Sequence, residues 1–133
     1  MAAVSAYARK ALLDWMLGGA AAPVDPTKWA VGLSLGAPTS VLGSEIATTY
    51  GYTRMTAAFG AAASPGGSAI NAAAITFGPF TTAASVSGIQ VWDTVLQADS
   101  GNMLAYGLLA TVRTVASGDS LVVASGALTV SLA

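Results

Sequence analysis

The side chains best equipped for chemistry in this sequence are six carboxylates: Asp14, Asp25, Glu45, Asp93, Asp99 and Asp119. Two acids that converge on one cleft can divide glycoside hydrolysis between a proton donor and a base or nucleophile. Here the acids are spread over a helix, loops and turns, so any such pair would have to be assembled by folding alone. The chain has no histidine and no cysteine, so the usual base near neutral pH and the thiolate are both missing. Asp99 and Asp119 fall in "QADSGN" and "ASGDS", where they are expected to shape turns, and Asp93 closes an apolar run. "LQADSGN" offers only Asp99 and Asn102 as strong calcium ligands, too few for a calcium loop. "MLGGAAAP" lacks the Gly-Lys-Ser/Thr that completes a phosphate loop. The expectation is a protein that is not an enzyme and holds no metal or cofactor.

Seven aromatic residues, Tyr7, Trp15, Trp29, Tyr50, Tyr52, Trp92 and Tyr106, could in principle form a stacking platform for sugars. Their places on a helix stripe and at alternate strand positions instead suit core or interface residues.

The elements that must position these groups can be read from periodicity. Residues 3–17 repeat apolar side chains at steps of three and four (Val4, Tyr7, Ala8, Ala11, Leu12, Trp15 and Met16), which predicts an amphipathic helix. Ser5 can cap its first turn, and Gly18-Gly19 can end it in the left-handed conformation. Leu13 and Leu17 broaden the stripe, so the helix should be clamped between its own domain and something else. Pro23 and Pro26 then mark an extended connector over residues 20–27. Everything after it reads as β. "KWAVGLSL" alternates as a half-buried strand, residues 50–59 form another, and further strands are expected over 70–77, 85–93 and 103–115 and in "LVVAS" and "ALTVSL". Gly32, Gly88 and Gly107 inside strands predict bulges or close backbone approaches. Short strands with regular turns indicate a mainly β fold, an antiparallel β-sandwich or jelly-roll-like barrel preceded by the N-terminal helix. The organisation is a single domain: helix 1–19, connector 20–27 and sandwich 28–133.

Charge narrows the role. Only 8% of the 133 residues are charged, and none lies between residues 55 and 92, against about a quarter in an ordinary soluble domain. With a mean hydropathy of +0.66 the chain has enough apolar content for a core. It has too little charge to keep free copies apart, so neighbouring subunits are expected to cover much of its surface. The five basic residues, Arg9, Lys10, Lys28, Arg54 and Arg113, are scattered, which argues against nucleic acid as a partner. Asp14 interrupts the apolar stretch that a secretory signal would need. Prolines and glycines divide the uncharged centre below the ~20 apolar residues of a membrane span.

In this order of elements the chain resembles a family of small tailed-phage virion proteins commonly labelled tail fibre proteins. The similarity runs from about Tyr7 to Leu132, through "YARKALLDWMLGG", "WAVGLSLGAPT", "GYTRMTAAFGAA", "INAAAITFGPFTTAASVSGIQVWD" and "SGNMLAYGLLATVRTVASGDSLVVASGALTVSL". Its most specific parts are "GYTRMTAAFG", "ITFGP" and the closing "GLLATVRTVASGDSLVVASGALTVSL". The resemblance implies a structural role in the virion, assembled in the host cytoplasm. The chain has no repetitive shaft, and small β-sandwiches of this size serve phages as capsid cement. The expectation is therefore a capsid decoration or cement protein that binds between major capsid proteins. It would also contact copies of itself, as a trimer or dimer. The alternative is a tail or tail-fibre-associated adaptor or receptor-binding module. In either case the helix is the expected docking element, with Tyr7, Leu12, Trp15 and Met16 as anchors.

Overall fold

A long antiparallel hairpin forms the spine of the structure, a computed structural model that describes residues 2–21, 29–39, 44–63, 67–96 and 101–131. Its arms are β6 (Ala84–Trp92) and β7 (Met103–Val115). On the β6 side lie β2 (Trp29–Ser34) and then β3 (Met55–Ala57), both antiparallel. On the β7 side lie β1 (Ala2–Val4), β9 (Thr129–Ser131) and β4 (Ser68–Ile70). The resulting seven-stranded order is β3-β2-β6-β7-β1-β9-β4, and β5 (Ile75–Phe77) pairs with β8 (Leu121–Val123) as a small second sheet. Val31, Leu33, Val86, Ile89, Val91, Ala105 and Val115 from the large sheet join Ile75, Phe77 and Leu121 from the small one in a single buried cluster. Full burial of each larger side chain contributes ~1.5–3 kcal/mol. The fold is thus mainly β and sandwich-like with an N-terminal helix, as the strand and turn pattern predicts.

Several elements differ from expectation for identifiable reasons. The helix α1 spans Ala6–Gly18 and does not begin at residue 3. The preceding residues are held as β1, with Ala3 opposite Tyr106 and Val4 opposite Ala105. β1 also pairs with β9 in parallel, so the sheet is not wholly antiparallel. Ser5 separates strand from helix. Its side chain accepts from the Ala8 amide at 3.1 Å and donates to the Met103 carbonyl, while its own amide donates to the Leu104 carbonyl at 2.8 Å. Gly19, at φ 70°, ends the helix as expected.

β2 is not half-buried. Ala30, Val31, Gly32, Leu33 and Ser34 are all buried, because β3 and β6 flank the strand and polar side chains close over its second face. The expected strand over 50–59 shrinks to Met55–Ala57, since Tyr52 and Arg54 are drawn inward by that polar cluster. The expected strand over 70–77 splits in two at Asn71. The buried Asn71 side chain donates to the carbonyls of Ala73 (2.8 Å) and Ala124 (2.9 Å) and accepts from the Leu128 amide at 2.9 Å. These local bonds replace a continuous ladder and tie β4 and β5 to the β8–β9 connection. Most of the connector over 20–27 lies outside the described residues.

Candidate functional site

Helix α1 rests on β7 and is only partly covered by it. Its half-buried positions include Ala8, Ala11 and Leu12, spaced as one helical face. The large apolar side chains stay largely exposed: Tyr7 is 49% exposed, Leu13 56%, Trp15 45%, Met16 62% and Leu17 80%. No residue of the helix is buried. An ordinary surface helix buries its apolar stripe. Here the stripe is half-covered at Ala8, Ala11 and Leu12, while Tyr7, Trp15 and Met16 of the same stripe stay exposed and Leu13 and Leu17 lie on the far side, with the exposed Lys10–Asp14 ion pair as the polar feature. Of the four expected anchors, Tyr7, Trp15 and Met16 are exposed and Leu12 is half-buried against the fold.

The acids form no catalytic pair among the described residues. Glu45 meets Arg54 in a bidentate pair: the Arg54 Nε donates to Oε1 and Nη2 to Oε2, both at 2.8 Å. The Arg54 side chain is only 1% exposed and that of Glu45 12%. Nη1 donates to the carbonyls of Thr94 (3.0 Å) and Leu96 (3.3 Å), and the guanidinium lies 3.8 Å from the centre of the Trp92 ring. Tyr52 Oη donates to Glu45 Oε1 at 2.9 Å and accepts from the Leu33 amide at 2.8 Å. The Trp92 indole N–H donates to Gln90 Oε1 at 3.0 Å. Burial, and then the neighbouring Glu45 charge, push the Tyr52 phenol well above its ordinary pKa. These bonds tie Glu45, Tyr52, Arg54 and Trp92 to one another and to the backbone at Leu33, Thr94 and Leu96, and so lock this sheet face. A sign of it lies in the sequence: Tyr52 and Arg54, two apart, share one side of an extended segment, seven and nine residues from the acid that they meet.

The remaining acids behave as turn residues. Asp93 accepts from the Asn102 amide (2.7 Å) and side-chain amide (2.8 Å), and Asp119 accepts from the Ala116 amide at 3.0 Å. Asp25 and Asp99 lie outside the described residues. Among the described residues, no three His, Cys, Asp or Glu side chains come close enough to hold a metal ion. The seven aromatics do not share one platform. Tyr52 is buried against Phe77 with ring centres 6.0 Å apart, Trp92 underlies Arg54, and Trp29 and Tyr50 pack on the core. Tyr7 and Trp15 alone of the seven stand exposed, both on α1.

Among the described residues the acids are engaged within the chain and α1 displays bare apolar side chains. The chain belongs to the family described as podophage GP4 fiber I protein gp80, whose family model matches residues 3–131. It is thus a structural protein of the tailed-phage virion. No individually curated protein matches the sequence. No helix among the described residues is long and apolar enough to cross a membrane.

Proposed function

We propose that the protein is a fibre-associated structural subunit of the phage, fastened to a neighbouring virion protein through the exposed apolar side chains of α1. The family description favours this fibre-associated role over capsid cement. The observation that carries it is the outward display of Tyr7, Leu13, Trp15, Met16 and Leu17 on a chain with almost no repelling charge. Clustered exposed aromatics and aliphatics of this kind mark interaction sites, and a buried aromatic anchor typically costs at least ~2 kcal/mol when truncated. The role is one of assembly, not catalysis. It acts by binding the assembled neighbour more strongly than loose subunits, which stabilises the assembly by mass action.

The test uses phage grown with Trp15→Ala, and separately with Met16→Glu. Both side chains are exposed, so folding should change by no more than ~0.5 kcal/mol. Binding to the particle should weaken by about 30-fold or more for Trp15→Ala, the equivalent of ~2 kcal/mol. Copy number is read from gels of purified virions and position from electron microscopy with a labelled subunit. Unchanged occupancy in both variants refutes docking through α1, and label spread over the head shell refutes the fibre-associated role in favour of cement.

A further inference from the structure

Residues 2–19 are joined to the fold at few places, and none of the strands they touch depends on them alone. β1 lies between β7 and β9. Ala105 and Tyr106 of β7, which face β1, also pair with Val91 and Gln90 of β6. Val130 and Ser131 of β9, which face β1 on its other side, also pair with Ala69 and Ser68 of β4. Removing β1 would bare two short edges and take away no strand's last partner. Ala2 is the segment's one member of the buried core cluster, and it brings a single methyl group. α1 adds no buried residue. Its 13 residues fall in the range of ~12–15 below which an isolated helix is marginal in water, so the helix persists through what holds its first turn.

That hold converges on Ser5, whose side chain is buried. Toward the sheet, its amide donates to the Leu104 carbonyl at 2.8 Å and its hydroxyl donates to the Met103 carbonyl. Toward the helix, the same hydroxyl accepts from the Ala8 amide at 3.1 Å, and the Ser5 carbonyl accepts from the Arg9 amide at 3.0 Å. One hydroxyl therefore serves both strand and helix. We propose that residues 2–19 form an arm that opens from the sheet as one unit while the rest stays folded, with Ser5 as its latch. Segments with few buried apolar contacts open below the free energy of global unfolding. Opening breaks the sheet bonds of Ser5 and the short β1 ladders, and it bares one alanine methyl of the core. Without its cap and its seat on β7 the helix then melts. Closed, the arm holds Tyr7, Trp15 and Met16 in a fixed place relative to the sheet, so Ser5 is a positioning residue for that apolar surface. The inference concerns the free chain and does not rest on the docking role.

The test is made on the purified full chain by native-state hydrogen exchange and circular dichroism. In the wild type, the Ser5 amide and the amides of α1 should exchange together. They should be less protected than the Ile89 and Val91 amides of β6 by at least about tenfold, and less sensitive to denaturant, since less surface is exposed. Ser5→Ala removes the hydroxyl and leaves the amide, and it should speed exchange through α1 by at least about tenfold. Ser5 has φ −68° and ψ 166°, a conformation open to proline. Ser5→Pro therefore suits the backbone while removing both donors to the sheet. It should abolish the helical signal and leave the β6 amides protected. The proposal is overturned by α1 amides that exchange only together with those of β6, by a helical signal that survives Ser5→Pro, or by loss of the whole fold along with the helix. Particle occupancy of Ser5→Pro tests the docking role separately: a lost helix with unchanged occupancy supports the latch and counts against docking through α1.

Discussion

Replacing Arg54 with methionine should be among the most damaging single changes outside the hydrophobic core. The substitution removes both 2.8 Å bonds to Glu45, the bonds to the Thr94 and Leu96 carbonyls and the stack on Trp92, and it strands the charge of Glu45, whose side chain is only 12% exposed in the intact pair. Breaking a buried ion pair by deleting one member costs ~3–5 kcal/mol. The lower end applies here, because water can reach Glu45 through its residual exposure. Against a total of ~5–15 kcal/mol for a domain, that is a fifth or more of the stability. Urea unfolding of Arg54→Met should move the midpoint down by about 1.5 M for an m-value near ~2 kcal/mol/M, with m unchanged. The double variant Glu45→Leu/Arg54→Met should recover part of the loss, giving a coupling of at least ~2 kcal/mol in the cycle. The pair is shielded from solvent, so raising salt to 1 M should leave the coupling nearly intact. A loss below ~1 kcal/mol, the range of surface pairs, or additive single variants would refute the reading of this cluster as a buried lock.

Two further outcomes follow from the same cluster. Tyr52 is held protonated above its ordinary pKa of 10.0. The stability it contributes is present below pH ~10 and is lost as the pH rises past that value, by up to ~1.4 kcal/mol per pH unit. Tyr52→Phe should flatten the fall in unfolding free energy between pH 10 and 11.5, and equal slopes for variant and wild type would contradict this. At Gly32 a Cβ would stand 2.8 Å from Tyr52 Oη and 2.9 Å from Glu45 Oε1, so Gly32→Ala should cost about 2 kcal/mol or more. Gly18→Ala, with nothing within 4 Å, should be neutral or stabilising by up to ~1 kcal/mol. Thermal melts of the two proteins check the contrast.

What the sequence made legible were the elements whose local signals agree with their packing. β7 spans the expected 103–115, and Ser5 and Gly19 bound the helix through capping chemistry that acts within a turn. Gly32 and Gly88 mark close approaches: a Cβ on Gly88 would run into Ser34 Oγ and the Pro38 ring. What escaped depends on contacts distant in sequence. Alternation in "KWAVGLSL" suggests one wet face, but Tyr52, Glu45 and Trp92 close over that face from elsewhere in the chain. The apolar run at 70–77 holds one buried asparagine whose three side-chain bonds outweigh β propensity. At the N-terminus, helical periodicity over residues 3–5 loses to strand pairing, because the slot between β7 and β9 would otherwise leave two edges open. The stripe on α1 identifies the helix and the side that meets the sheet but not how little of it the fold covers, since burial depends on how far β7 extends beneath it.

That incomplete cover gives the scarcity of charge its meaning. Among the described residues each acid is occupied within the chain: Asp14 by Lys10, Glu45 by Arg54, Asp93 by Asn102 and Asp119 by Ala116. Charge is thus used to fix turns and one buried contact, and little remains to keep copies apart. The apolar side chains left bare on α1 sit on a helix whose start is fixed to the sheet, because Ser5 binds it to the carbonyls of Met103 and Leu104 at the beginning of β7. A subunit held through those side chains is therefore held through the same sheet that carries its core, and little charge stands in the way of the contact.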